Sequence, residues 1–462
     1  MRISECLNDE NAAINAFNKL EEVNEKYNFL VTPVNPKEAI SDGLLKDVPI
    51  ALKDNVNTKG IRTTASCKIL DNYVPVYNAT IVDKLEKAGA RIVCKTSMDE
   101  LAMGGTNLTA ATGPVLNPYD TTRISGGSSG GSAVAVASGL VPCAIGSDTG
   151  DSVRKPASFC GVVGVKPTYG RISRYGIIPY ASSLDHVGYF TTNVKDAATM
   201  LEVLAGRDDN DMTSSNEPVL EYTKLINEDI AGKKILVFKN VTDSISNQEV
   251  LNHFNKIVDG LKEKGAVVEE VSFDEKLMKA ILPVYYIIAN CEATANHSNL
   301  DGVNFGNTVE GDSVDEIMTN TRTKNFGIGL KTRFFIGSYG LAQENQERYF
   351  RKAQRIRRLI VDEVMNKLKD ADLLIAPAAP GVAPKVVGTS NNELDNEYLI
   401  ADNHMVIGNF AGLPSMTLPM GYVDDMPVGI NINANPFKED VMFSIGKVIE
   451  NITGLEGKVK GE

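Results

Sequence analysis

Ser125-Gly-Gly-Ser-Ser-Gly-Gly-Ser132, followed shortly by Gly146-Ser-Asp-Thr-Gly-Asp-Ser-Val-Arg-Lys-Pro156, is the richest stretch of this chain. Between the two lies a small-residue run, Ser132 to Ser138, that reads as a helix. The apolar Leu140 to Ile145 after it reads as a strand. Helix and strand then alternate outward in both directions. Upstream, Val48 to Leu52 is a short apolar run of the kind a buried strand shows, Thr80 to Ala88 has helical spacing, and Ala90 to Cys94 is strand-like. Residues 11–27 place Ile14, Phe17, Leu20 and Val23 on one helical face. Downstream, strands are expected at Ile235 to Phe238, Ala266 to Val271 and Leu373 to Ile375. Helices are expected at Asn247 to Lys264 and over 338–369, and Leu399 to Phe410, Met416 to Pro419, Val428 to Ile432 and Lys438 to Ile452 continue the alternation. This predicts an α/β fold with a central mixed twisted sheet flanked by helices. Residues 207–230 are polar and read as a surface excursion. Residues 275–335 carry little strand signal and read as a helical cap on one large domain spanning 1–462, with the catalytic core near 45–200.

Composition narrows the function. The 462 residues are 43% apolar and 23% charged, which excludes disorder and fibrous classes. Lys plus Arg number 47 against 59 Asp plus Glu, a net charge of −12, and Trp is absent. That balance disfavours direct binding of a nucleic-acid backbone and leaves such binding to a partner. The six cysteines, with no C-x-x-C pair, read as buried free thiols. The start shows no apolar signal segment, and the most apolar stretch, Ser132 to Ile145, is too short to span a bilayer. A cytoplasmic protein is expected, with no membrane contact and no metal.

The Gly/Ser stretch admits several chemistries. A phosphate loop needs a Lys directly after its last Gly, and none follows Gly131. A nucleophile elbow fits the letters Gly126 to Gly130, but turn residues 117–123 precede it where a strand is required. Its His partner is also hard to place among His186, His253, His297 and His404. An S-x-x-K site fits Ser152 to Lys155, but Pro156 is expected to bias Lys155 away from helical angles. A plain glycine-rich packing loop remains open, although Lys53 at the end of an apolar strand argues against it.

With Pro49-Ile-Ala-Leu-Lys53-Asp-Asn added, these stretches resemble the amidase signature family. Asn78-Ala-Thr, Met98 to Gly104, Gly161 to Gly176 and Asn409-Phe-Ala-Gly-Leu-Pro414 extend the likeness over nearly the whole chain. Within that family they look like the A subunits of tRNA-dependent amidotransferases. The resemblance implies a glutaminase that supplies ammonia for converting Glu-tRNA(Gln) or Asp-tRNA(Asn). It would assemble with the B and C subunits of such a complex, with tRNA, ATP and Mg²⁺ on a partner and no cofactor in this chain. It also implies the residues. Lys53 is the base, Ser128, after a cis peptide, is the bridge, Ser152 is the nucleophile, and Ser129 supports them. Backbone N–H groups of Thr149, Gly150, Asp151 and Ser152 form the oxyanion hole. Arg333 holds the carboxylate of glutamine, Asp402 holds its ammonium, and Tyr285 lines the same pocket.

Burial would free the Lys53 amine of its proton near neutrality, as a base for serine requires. The bland alternative is a surface lysine paired with Asp54. The chain departs from the family in four places. Asp151 stands where Gly is usual, which would be strained if φ were positive there. Thr332 replaces the first of two arginines, His186 replaces a Gln, and the stretch before Lys53 is short. Two other readings stay open: a stand-alone amidase for small aliphatic or aryl amides, and a catalytically inactive scaffold protein in which Asp151 blocks the reaction. The basic run Arg348, Arg351, Lys352, Arg355, Arg357, Arg358 reads as a solvated face balanced by Glu344 and Glu347, with partner docking as the alternative.

Overall fold

Lys53 closes a strand whose five residues, Pro49 to Lys53, are all buried, and that strand lies within one sheet of eleven strands. The structure is a computed structural model and describes residues 1–387 and 400–460. In chain order the strands are β1 (Leu30–Pro33), β2 (Pro49–Lys53), β3 (Arg91–Thr96), β4 (Cys143–Asp148), β5 (Val163–Lys166), β6 (His186–Thr191), β7 (Lys234–Phe238), β8 (Val267–Val271), β9 (Leu373–Pro377), β10 (Ser415–Val423) and β11 (Met426–Ala434). They lie side by side as β1-β3-β2-β4-β6-β5-β10-β11-β9-β7-β8. β3, β2 and β4 run parallel, as do β9, β7 and β8, and the strands between are antiparallel. The sheet is therefore mixed, as the alternation of elements implied.

The layering follows from sequence. β2, β3 and β4 are buried at every residue, so both faces must be covered, and apolar runs replace the alternation of a half-exposed strand. Helix Gly130–Ala137 is made only of Gly, Ser, Ala and Val and is buried throughout. Because β2 and β4 are parallel, with Leu52 beside Ile145, their carboxyl ends open on the same side. Ligand sites of α/β sheets collect at such ends.

Several expectations need correction. The helix expected over 11–27 is two, Ala12–Asn18 and Leu20–Tyr27. The pattern over 338–369 breaks at Ala342, whose ψ of 139° is extended. It resumes through Gln343–Gln346 and a wide turn at Glu347–Arg351 into Lys352–Leu368. Strands β1, β5 and β6 are additions to the expected set. β5 and β6 are short, glycine-bearing and buried on both faces, so no period-2 signal marks them. Residues 207–230 are not simply a surface excursion, since Asp208, Asp211, Ser214 and Tyr222 are buried. Leu399 lies outside the described residues. Over 275–341 the described elements are helical: Glu275–Asn296, Val314–Asn325 and Ile328–Leu341. All six cysteines are buried and free. Among the described residues, no helix is long and apolar enough to cross a membrane.

Candidate active site

Lys53 is fully buried. Its Nζ donates to Ser128 Oγ at 2.8 Å, to Ser129 Oγ at 2.8 Å and to the Ser147 carbonyl at 3.3 Å. Burial pushes its pKa down to about 7, against the raising fields of Asp99, Asp148 and Asp185. The surface-lysine alternative therefore fails. Asp54 instead pairs with Lys95, 3.4 Å away, and both are fully buried.

The glycines explain how two serines reach this amine. The peptide between Gly127 and Ser128 is cis. A Cβ on Gly127 would collide with the Asp99 carboxylate, and one on Gly131 with the Ser97 carbonyl. The chain can thus pass the Asp99 turn closely enough to bring Ser128 and Ser129 against Lys53. Asp99 also donates its N–H to the Ser128 carbonyl at 3.2 Å. Ser129 stands just before helix Gly130–Ala137, and its Oγ donates to the Ser147 carbonyl at 3.0 Å.

Ser152 lies in the loop joining β4 to helix Arg154–Cys160. Its carbonyl accepts the Ser129 N–H at 3.2 Å, which ties this loop to the serine pair. Its hydroxyl makes no hydrogen bond among the described residues, so the Lys53–Ser128 contact is closed and a Ser128–Ser152 bond is not. The loop is held by a wholly buried ion pair that the sequence did not reveal. Arg154 Nη2 lies 2.9 Å from Asp148 Oδ1, and Arg154 Nε donates to Asp148 Oδ2 at 3.1 Å. Arg154 also donates to the Gly150 carbonyl at 2.7 Å and to Asn409 Oδ1 at 2.6 Å. Asn409 Nδ2 returns a bond to Asp148 Oδ1 at 2.9 Å. Burial would raise the Asp148 carboxyl, but the Arg154 guanidinium, with Lys166 and Asn409, holds it well below the usual range. Removing one partner of such a pair costs on the order of 3–5 kcal/mol. Asp148, Arg154 and Asn409 all lie in the motif stretches, but their joint role spans 261 residues of chain and no local pattern reveals it.

With the Gly150 and Ser152 carbonyls engaged, the N–H groups of Thr149, Gly150 and Ser152 donate to no acceptor among the described residues. Such a row of donors beside a hydroxyl can stabilise a developing oxyanion. Asp151 does not distort it. Asp151 is not among the positive-φ residues, so the strain considered for it does not arise. Its carboxylate lies 2.6 Å from Lys155 Nζ. Lys155 is helical despite Pro156, because proline is tolerated in a first turn. Contrary to expectation, Pro156 thus does not exclude an S-x-x-K site. What occupies Lys155 is the ion pair with Asp151, together with a 2.7 Å bond from Lys155 Nζ to the Asp402 carbonyl.

Of the three expected substrate residues, one touches this loop, one reaches it through a backbone carbonyl and one lies against Tyr180 and Tyr286. Tyr285 packs on Gly150, where a Cβ would meet its ring at 3.0 Å. Asp402, in the short helix Ile400–Asn403, reaches it through Lys155. Arg333 is buried on helix Ile328–Leu341, donates to the Tyr180 hydroxyl at 3.1 Å and lies 5.0 Å from the centre of the Tyr286 ring. Among the described residues, neither Ser128 nor Ser152 is hydrogen-bonded to a histidine, and His186 turns Nδ1 to the Leu184 carbonyl at 2.6 Å. The basic run is mostly a balanced face, with Arg355 2.6 Å from Glu347 and Arg358 2.8 Å from Asp362. Arg357 is the exception and turns inward to the Phe410 and Ser183 carbonyls.

A family model described as Amidase matches residues 17–443. The A subunit of glutamyl-tRNA(Gln) amidotransferase from Pediococcus pentosaceus is 40% identical over 426 residues, which are 92% of this chain and 87% of that protein. The protein of the same name from Prochlorococcus marinus is 44% identical over 409 residues, 88% of this chain and 83% of its own. Among solved structures, that of the glutamyl-tRNA(Gln) amidotransferase A subunit from Thermotoga maritima superposes with a TM-score of 0.83 at 36% identity, covering 98% of this chain and 94% of that one.

Proposed function

The chain belongs to the amidase family, and from that premise we propose that it is the glutamine-hydrolysing A subunit of a tRNA-dependent amidotransferase. The observation that carries this reading is Lys53. It is a fully buried amine with no carboxylate within ion-pair distance among the described residues, set 2.8 Å from Ser128. Lys166 is equally buried and also lacks a carboxylate within ion-pair distance among the described residues, but it donates only to the Pro167 and Leu413 carbonyls, whereas Lys53 faces two serine hydroxyls.

The chemistry uses the Lys53–Ser128 contact that is present and requires Ser128 and Ser152 to come within hydrogen-bonding distance when glutamine is bound. Neutral Lys53 takes the proton of Ser128 as Ser128 takes that of Ser152, so a Ser152 alkoxide forms only as it attacks the side-chain amide carbon of glutamine. The carbonyl oxygen gains charge facing the N–H groups of Thr149, Gly150 and Ser152. The proton returns by the same path to the leaving nitrogen, the C–N bond breaks, and ammonia departs. Water, deprotonated along the same path, then attacks the glutamyl ester and releases glutamate and Ser152. Arg333 holds the α-carboxylate, Asp402 the α-ammonium, and Tyr285 packs along the chain between them.

In this reading ammonia passes to the B and C subunits, which carry the tRNA, ATP and Mg²⁺, in the cytoplasm. The acidic net charge of −12 suits a chain that leaves tRNA to a partner. The inactive-scaffold alternative loses its basis, because the Asp151 carboxylate is engaged by Lys155. Ammonia release from glutamine by the assembled complex tests the reading. Ser152→Ala, Ser128→Ala and Lys53→Ala should each nearly abolish it, and double variants should lose little more, because the three act as a unit. Near-normal glutaminase activity in Lys53→Ala would refute the mechanism.

A further inference from the structure

We infer that Asp185 is a positioning residue that ties the carboxylate clamp at Arg333 to the oxyanion loop at Thr149, and so couples recognition of an α-amino acid to hydrolysis of its side-chain amide. The inference rests on the glutaminase reading and deepens it.

Asp185 lies just before β6 and is 9% exposed. Its two carboxylate oxygens serve two different segments. Oδ1 accepts from Thr149 Oγ1 at 2.7 Å, and Oδ2 accepts from the Tyr180 N–H at 2.8 Å. Tyr180 in turn presents its hydroxyl to Arg333 Nη1 at 3.1 Å and donates to Asn290 Oδ1 at 3.3 Å. One carboxylate therefore stands between the first residue of the donor loop and the residue on which the guanidinium leans.

Two other buried carboxylates at the site have cations: Asp148 has Arg154 and Asp54 has Lys95. Asp185 has none within ion-pair distance among the described residues, and Arg174 reaches only its backbone carbonyl, at 3.3 Å. A buried carboxylate held by a hydroxyl and backbone N–H groups, with Arg174 acting on it only through its field, is costly to keep. Charge-assisted hydrogen bonds are short and directional, so this arrangement fixes the spacing between its two donors. That spacing sets how far the Arg333 guanidinium stands from the loop that must receive the amide. Only a substrate whose carboxylate and amide match it engages both.

The test compares glutamine with butyramide, an amide with no α-carboxylate, on the assembled complex, across pH. Asp185→Asn keeps the shape but exchanges one acceptor for a donor, Thr149→Val removes the hydroxyl, and Thr149→Ser keeps it. Expected are a fall of about tenfold or more in kcat/KM for glutamine in Asp185→Asn and Thr149→Val, a smaller fall for butyramide, and recovery in Thr149→Ser. Asp185→Asn should also move the acid limb of the glutamine profile to lower pH. It removes one of the three carboxylate fields, with Asp99 and Asp148, that raise Lys53. Equal losses on both substrates with an unmoved acid limb would make Asp185 merely structural and overturn the inference, as would variants within twofold of wild type. A wild-type complex active on butyramide but not on glutamine would overturn the glutaminase reading itself.

Discussion

Lys53 Nζ and Ser128 Oγ lie 2.8 Å apart in a fully buried setting, and the carboxylates of Asp99, Asp148 and Asp185 act on the amine only through their fields. The amine is thus not half of an ion pair, as the proposed role of a base requires.

This sets a pH dependence with a definite sign. Lys53 must be neutral to act and has a pKa of about 7, so kcat/KM for glutamine should rise about tenfold per pH unit below neutrality and level off above it. A profile flat down to pH 5.5 would refute the assignment. Stability runs in the same sense. The folded pKa lies below the ordinary 10.5, so between pH 10.5 and 7 the folded amine is neutral while the unfolded one is charged. The stability contribution is full above 10.5 and is lost as pH falls through that window. Lys53→Met should therefore raise Tm at pH 7.5 while lowering activity by more than about a thousandfold. Calorimetry and an ammonia assay on the same preparation decide it.

Arg333 donates to the Tyr180 hydroxyl and lies over the Tyr286 ring. Arg333→Ala should raise the glutamine KM by the loss of a charge-assisted pair, on the order of 2–3 kcal/mol. Amidation of charged tRNA driven by ammonium salt should persist in the assembled complex. If it falls as far as the glutamine-driven reaction, Arg333 is structural.

Asp151 spends its carboxylate on Lys155, one helical turn on, at 2.6 Å. Asp151→Gly should change kcat by less than about tenfold, that is less than about 1.4 kcal/mol. A structure with bound glutamine that placed this carboxylate within hydrogen-bonding distance of the substrate would instead give Asp151 a share in reading the α-ammonium.

Glu100 joins the core to the cap. Its Oε2 accepts the Gly327 N–H at 3.1 Å, at the start of the helix that carries Arg333, and its Oε1 accepts from Cys67 Sγ at 3.1 Å. Burial raises its pKa to about 7 against these hydrogen bonds. A carboxyl raised in the folded state contributes stability that is full below about 4.5 and is lost as pH rises through 7. Tm should therefore carry a downward step between pH 5 and 8 that Glu100→Gln flattens. An identical step in the variant would remove Glu100 as its source.

Local sequence was enough for the class of fold. Apolar runs such as Pro49 to Leu52 read as strands covered on both faces. The roles of Lys53, Ser128 and Ser152 came from the likeness of their motifs to a family, and only the fold showed that Lys53 is buried and not paired with Asp54. The helices at Thr80 and Gln248 were also legible, because a 3.6-residue period is written locally. Everything that depends on residues far apart in the chain had to wait for the folded molecule. β5 and β6 carry no period of their own and exist as strands because β4 and β10 offer them hydrogen bonds. The loop from Thr149 to Ser152 is shaped by Arg154, Asn409 and Asp185, and Lys155 is occupied by Asp151 and Asp402. A buried charge takes its partner from whichever segment the fold brings within about 3 Å, and sequence spacing holds no record of that distance.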